Sequence, residues 1–398
     1  MNICYFIPSI NGFDIHILPF LKESKGNHIV FYMDGNKADF QYNNVKFVNI
    51  LECLNFPVLF MKAKADAFIL FNFFSIMDIF FIQLCKVLRI KIFYIQHGLR
   101  INYQTTDGAK IFLKRGSVSY IFNTAIKKYS KFFYLYVKLF SDFKDKKDIL
   151  GYGLQFIKNF LYPVKMTIPI KGYKKLSVCD YAFVYSAYDQ NYLIQHFNYD
   201  KKKIEIIGLP LKKNVRNNNQ RRKILLITNN LRNDGLVSQN NEKVIFNKLF
   251  DRFKKENDFV IKLHPLENEK VINTYFRNSQ KPLVLKNVDP GQLIVDSDLV
   301  ICFFSSTLLL NAVKYNKPIL FINLPNVDFD FQDSFGFISM GIGKCMAVKE
   351  LTNLNNTDKI FYIDQNKYKK FVKKYIGPDN SNYPKNVISF IYEKTFLN

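Results

Sequence analysis

The sequence predicts an α/β chain of two doubly wound, Rossmann-like domains, and three observations carry that expectation. Short apolar runs alternate with helical stretches, the runs are apolar at nearly every position, and the alternation stops at a polar, Asn-rich stretch and then restarts. A strand that is apolar throughout is buried on both faces, as in a parallel sheet covered by helices. With 398 residues, 48% of them hydrophobic, the chain is long enough for two such cores.

In the first half, strands are expected over residues 2–8, 28–32, 67–71 and 91–96, with helices over 13–22 and 76–88. A long basic and aromatic segment between Gly108 and Lys175 interrupts the pattern. It resumes with a strand over 181–185, a helix near 189–197 and a strand over 204–207, which ends on Gly208-Leu209-Pro210. The polar run from Lys212 to Arg222 reads as a linker. Beyond it, strands are expected over 223–228, 259–263, 299–304 and 318–322, helices near 241–256 and over 306–315, and a helical closing segment over 366–397. The expected domains are residues 1–210, a linker 211–222, a second domain 223–375, and a C-terminal helix 376–398 packing back on the first. Two such halves facing a cleft are the GT-B architecture.

Composition narrows the function only in part. There are 57 basic and 33 acidic residues, a formal net charge of +24, which favours nucleic acid, an anionic membrane surface or a phosphorylated substrate. A general bias towards Lys, Asn and Ile accounts for the excess equally well. No helix-turn-helix, RNP-type or zinc pattern accompanies the charge, which argues against nucleic acid as the partner. The six cysteines (Cys4, Cys53, Cys85, Cys179, Cys302, Cys345) form no Cys-x-x-Cys pair. They are expected as reduced, mostly buried thiols, and this points to the cytoplasm. The N-terminus has no signal-peptide pattern. The most apolar stretch, residues 67–90, is broken by Asn72, Ser75, Asp78, Gln83 and Lys86, so it reads as a strand and a helix, not a membrane span.

Ligands of open α/β sheets gather at the carboxyl ends of the strands, and three of those ends carry unusual polar residues. The first is Gln96-His97-Gly98. An imidazole there can take or give a proton near neutral pH, and a glycine lets a ligand approach the backbone, although a histidine at a strand end is often structural. The second is Lys262-Leu263-His264-Pro265, where His264 at the strand's mouth can donate to a phosphate and Pro265 stiffens the loop. The third is Ser305-Ser306-Thr307, following the apolar run that ends at Phe304. If Ser305 or Ser306 caps the next helix, hydroxyls and unpaired N–H groups gather where a phosphate is favoured; a plain helix cap needs no ligand. There is no Gly-rich Walker loop and no Gly-x-Gly-x-x-Gly fingerprint, which argues against P-loop NTPases and typical NAD enzymes.

Taken in order, these strand ends resemble the CDP-glycerol glycerophosphotransferases, and also the GT-B capsule and lipooligosaccharide sialyltransferases that share a His-Pro and a paired-serine motif. Asp296-Ser297-Asp298, Asn316-Lys317-Pro318, Tyr185-Ser186-Ala187-Tyr188-Asp189 and Ile206-Ile207-Gly208-Leu209-Pro210 extend the resemblance to roughly residues 90–325. It implies His97 as the general base and His264 as an aid to the leaving nucleotide. It also implies Lys262, His264, Pro265, Ser305, Ser306 and Thr307 as binders of the donor's phosphates, with Gln96, Gly98, Asp107, Thr228 and Asn229 in support. The chain departs from the family in having Phe303-Phe304 before the serines and Leu211-Lys212-Lys213 after the junction proline. The sialyltransferases place an acidic residue at the base position, whose nearest echoes are Asp34 and Asp107.

The resulting expectation is a glycosyltransferase of bacterial capsule or lipooligosaccharide synthesis. It would move a sugar, sialic acid-like or other, from a CMP- or CDP-linked donor to a glycan or lipid-linked acceptor, without a metal or other cofactor. Transfer of glycerol phosphate or a polyol phosphate from a CDP-linked donor is the alternative, and a nucleic-acid-binding protein is the rival outside enzymes. A cytoplasmic location is expected; the basic, aromatic stretch from Lys127 to Lys147 reads as a rest on anionic lipid at the inner face of the plasma membrane, as a holder of a lipid-linked acceptor or, equally well, as ordinary amphipathic packing.

Overall fold

The computed structural model of the protein describes residues 1–98 and 178–396, apart from 8–9, 34–41, 53–59, 74–75, 212–220, 233–235, 266, 277–280, 325–326, 328 and 354–357. The described chain divides into two compact units. Residues 1–97, 178–209 and 375–396 form the first, and Gly98 with residues 210–374 forms the second. Among the expected features, Asp34, Asp107, Cys53, the Lys127–Lys147 stretch and most of the linker lie outside the described residues.

The first unit is a seven-stranded parallel sheet in the order β3-β2-β1-β4-β5-β6-β7. Its strands are β1 (Asn2–Ile7), β2 (Asn27–Tyr32), β3 (Val45–Asn49), β4 (Ala67–Leu70), β5 (Lys91–Ile95), β6 (Tyr181–Val184) and β7 (Ile204–Ile206). Register runs through the centre with Cys4 opposite Ile29 on one side and Phe68 on the other. Cys4, Phe6, Phe31, Phe68 and Tyr94 point into one buried cluster, closed by Phe81 and Leu84 of the helix Ile76–Val87. The 13–22 helix is in fact two short ones, α1 (Phe13–His16) and α2 (Leu18–Leu21). Pro19 has no N–H to continue a helical ladder, so the chain restarts with proline in the first turn of α2.

The closing segment is also interrupted: Gln365–Phe371 is helical, Val372–Ile376 is a π turn, and Tyr383–Phe396 is the final helix. That last helix sets Phe390 edge-on to Tyr181 and Phe183, each with ring centroids 5.2 Å away, and Tyr383 against Phe20 at 5.8 Å. The chain leading to it crosses Gly208. With φ at +60° and the Pro378 carbonyl oxygen 1.9 Å from where a Cβ would stand, Gly208 admits no side chain.

The second unit is a six-stranded parallel sheet in the order β10-β9-β8-β11-β12-β13. The strands are β8 (Arg222–Ile227), β9 (Asn257–Lys262), β10 (Leu283–Leu285), β11 (Leu299–Cys302), β12 (Ile319–Asn323) and β13 (Gly343–Ala347). Leu225 pairs with Val260 of β9 and with Val300 of β11, so β8 is the point at which the strand order reverses. The helix Gln239–Phe253 buries Phe246, Leu249, Phe250 and Phe253 on the sheet, with Ser238 accepting from the Asn241 N–H as its N-cap.

Three strands escape the sequence pattern: β3, β10 and β13. All three lie at sheet edges, where less burial leaves no continuous apolar run to read. Among the described residues no helix is long and apolar enough to cross a membrane. Of the cysteines described, Cys4, Cys85, Cys179 and Cys302 are buried free thiols and Cys345 is a half-buried one.

Candidate functional site

In the second unit, three neighbouring strands deliver their next residues to one end of the sheet. β8 is followed by Thr228 and Asn229, β9 by His264-Pro265, and β11 by Ser305-Ser306-Thr307. The two residues after the central strand hold the loops on either side. Thr228 Oγ1 accepts from the His264 backbone N–H at 2.8 Å, and its own hydroxyl donates to the Glu267 carboxylate. Glu267 Oε2 also accepts from the His264 N–H, at 2.7 Å. On the other side, Asn229 Oδ1 accepts from the backbone N–H groups of Phe303 at 3.1 Å and Phe304 at 3.4 Å.

A second brace comes from Gln332, which is buried. Its side-chain amide donates to the carbonyls of Phe303 and Ile322, both at 2.8 Å, while its backbone carbonyl accepts from the Ser305 N–H at 2.9 Å. The Phe303 and Phe304 side chains are buried, and Phe303 stacks on Phe246 at 6.1 Å. The departure from the family pattern at these two positions therefore lies in the core.

The hydroxyls do not cap a helix in the expected way. The helix begins at Leu309 and runs to Lys314, with Leu308 at its N-cap and no side-chain cap bond. Ser306 Oγ instead accepts from the Leu308 N–H at 3.3 Å, and the Leu309 and Leu310 N–H groups reach back three residues to Ser306 and Thr307. This tighter turn displaces the helix start from residue 306 to 309. Ser305 Oγ is buried and has no hydrogen-bond partner among the described residues. Thr307 Cγ2 lies 2.8 Å from where a Cβ on Gly98 would stand, and Gly98 has φ +74°.

Charges at this end are modulated by burial. Lys262 is buried, its ammonium lies below the usual lysine range for that reason, and it donates to the Leu263 carbonyl at 2.7 Å. His264 is half-buried; burial, with Lys262 alongside, holds its imidazole below the ordinary range. Burial pushes the Glu267 carboxyl up to about 7 against the hydrogen bonds from Thr228 and the His264 N–H, and its Oε1 is buried without a partner among the described residues. Glu267 and Gln332 were not expected from the sequence. A glutamate three residues after His264 and a glutamine 27 residues after Ser305 carry no local signal; only the folded chain sets Glu267 against Thr228 and returns Gln332 to Phe303.

The first unit supplies a separate set. Gln96 is buried, and its Oε1 accepts from the Tyr185 N–H at 2.9 Å, so it ties β5 to the residue that follows β6. The next residue, His97, is half-buried and meets His16 of α1 with ring centroids 3.9 Å apart. Ser186 caps the helix Ala187–Phe197, accepting from the Asp189 N–H at 3.3 Å while its hydroxyl donates to Asp189 Oδ2 at 2.8 Å. The family-like run around Tyr185 thus marks a helix start.

A model of the family described as CDP-glycerol:poly(glycerophosphate) glycerophosphotransferase matches residues 164–393. A search of curated proteins finds no significant match. Among solved structures, the wall teichoic acid polymerase TagF is similar with a TM-score of 0.60 at 13% identity, over 99% of this chain and 88% of that one. A TagF variant soaked with CDPG gives 0.57 at 13%, over 98% and 88%. The S. aureus MnaA–UDP structure gives 0.58 at 13%, over 100% and 97%. At such identities the structures show the fold, two Rossmann-like domains of the GT-B kind. The family match carries the glycerophosphotransferase part of the resemblance. The sialyltransferase part gains no support, and phosphodiester transfer fits better than the sugar transfer expected first.

Proposed function

The chain belongs to the CDP-glycerol:poly(glycerophosphate) glycerophosphotransferase family, and from that membership we propose that it transfers glycerol phosphate, or a related polyol phosphate, from a CDP-linked donor to a hydroxyl of a cell-surface polymer. A nucleotide-dependent transferase is what the family is; the donor, the acceptor and the residue roles are the proposal. The CDPG-soaked TagF structure supports a CDP-linked donor.

The observation that carries the reading is the bracket after β8. Thr228 and Asn229 hold the His264 loop and the Ser305–Thr307 loop on either side of the central strand. A diphosphate needs several donors at once, each charge-assisted bond contributing about 1.5–3 kcal/mol. Ser305 Oγ, a buried hydroxyl with no partner among the described residues, is suited to be one of them. Ser306, Thr307 and His264 supply others, and the Lys262 ammonium adds positive charge behind the loop. Pro265 keeps the turn rigid.

In the reaction, the acceptor hydroxyl attacks the phosphorus that bears the glycerol. The bond from that phosphorus to the bridging oxygen breaks, and CMP leaves with the bonding electrons. His97 takes the hydroxyl proton, and His264 donates to the departing phosphate. The net charge of +24 and the phosphate-rich acceptor favour a place at the inner face of the plasma membrane.

Incubation with CDP-glycerol and, separately, with a CMP-linked sialic acid tests the donor. CMP release with CDP-glycerol, and an acceptor heavier by glycerol phosphate, is expected. Turnover of the CMP-sugar alone would return the function to sugar transfer. A thermal-shift series with CMP, CDP, UMP, UDP and GDP provides an assay that needs no acceptor.

A further inference from the structure

The first unit places a second imidazole against His97. His16 ends α1 with its ring centroid 3.9 Å from that of His97 and the two planes at 72°, an edge-to-face contact. Phe71, the residue after β4, lies against His16 at 5.4 Å. The backbone closes in as well, since a Cβ on Gly12 would stand 2.9 Å from His16 Cδ2. Two other chain segments and the N-cap of its own helix therefore converge on His16, although no sequence pattern singles it out.

We propose that His16 is the positioning residue for His97: a neutral aromatic wall that fixes the plane of the His97 ring and shields one of its sides from water. The inference rests on the reading of His97 as the base. Burial, and after it the His97 imidazole, hold His16 down at about 3, so His16 stays uncharged wherever the enzyme works. An imidazole that binds a proton this weakly is too poor an acceptor to be the base itself. It can do what a base at the end of a strand requires, because the two imidazole nitrogens are not equivalent and a ring free to swing presents the wrong one. Two imidazolium ions at this separation repel, so the pair carries at most one positive charge.

The test uses three variants of the full chain, His16→Ala, His16→Phe and His97→Ala, with thermal melts as a folding control. With CDP-glycerol as donor, His16→Ala is expected to lower kcat by about 10- to 100-fold, the scale of lost orientation, with the donor KM unchanged. His16→Phe keeps the wall and is expected to recover most of the rate. Equal losses in His16→Ala and His16→Phe, or a kcat unchanged in His16→Ala, would overturn the proposal.

An assay without substrate separates this from the base reading. Carbethoxylation of His97 by diethyl pyrocarbonate, followed by peptide mass spectrometry, is expected to accelerate several-fold in His16→Ala and to stay near the wild-type rate in His16→Phe. An unchanged rate in His16→Ala means no shielding and defeats the proposal, whatever the activity. Wild-type turnover in His97→Ala defeats the base reading instead, and the positioning role falls with it even if the contact is there.

Discussion

Thr228 Oγ1 accepts the backbone N–H of His264 at 2.8 Å, across the parallel pair β8 and β9. A side chain at the end of the central strand thereby sets where the neighbouring loop leaves the sheet. The same N–H is shared with Glu267, so the turn around Pro265 is held from both strands. Removing the hydroxyl while keeping the shape isolates this link. Thr228→Val is expected to cost about 1–3 kcal/mol of stability, because a buried carboxylate loses its donor, and to raise the donor KM. Urea denaturation and initial-rate kinetics measure the two effects.

Ser305 behaves in the opposite way. Its hydroxyl is buried and unpartnered, so Ser305→Ala should leave the melting temperature of the free protein unchanged or slightly higher. Donor affinity should fall by about tenfold, one charge-assisted hydrogen bond. A loss of stability with unchanged affinity would make Ser305 a packing residue.

Glu267 predicts a pH dependence with a definite sign. Its carboxyl titrates near 7 in the folded chain, above the ordinary 4.5. The folded state thus holds a proton that the unfolded state has released. The associated stability is fully present below about pH 4.5, and it declines as pH rises to 7. The total is on the order of 3 kcal/mol. Glu267→Gln removes the titration, and its urea midpoint should be flatter than wild type between pH 5 and 7. Parallel profiles for the two proteins would refute the assignment.

Gly208 tests the seat of the returning chain. An alanine there must keep φ near +60° and meet the Pro378 carbonyl, so Gly208→Ala should cost more than the roughly 1 kcal/mol of a left-handed alanine alone. A thermal melt reads the loss, and a melting temperature equal to wild type would show that the Tyr375–Asn380 crossing yields easily.

His264→Ala should abolish or reduce by several degrees the thermal shift that CMP or CDP produces in the wild type. An equal shift in both proteins would remove His264 from the donor site.

The α/β class and the central strands are legible in the sequence because strands buried on both faces carry uninterrupted apolar runs. The same runs locate His97, His264 and Ser305, since each polar residue follows the point where its run stops. Edge strands β3, β10 and β13 are not legible, because exposure dilutes the pattern. Nor is the start of the helix at Leu309, where a serine side chain competes for a backbone N–H.

What the sequence determined by itself is the list of strand-end residues, a property of local periodicity. What only the tertiary structure decided is which of them are joined and which partners they meet. Thr228 meets Glu267, and Gln332 braces Phe303, only after the chain has turned back. His16 meets His97, 81 positions further along the chain, because β1 and β5 both open onto the same end of one parallel sheet. Parallel strands require a crossover, so the residues that share a sheet's carboxyl end are by necessity distant in sequence, and hydrogen bonds and ring contacts across that distance leave no periodic trace.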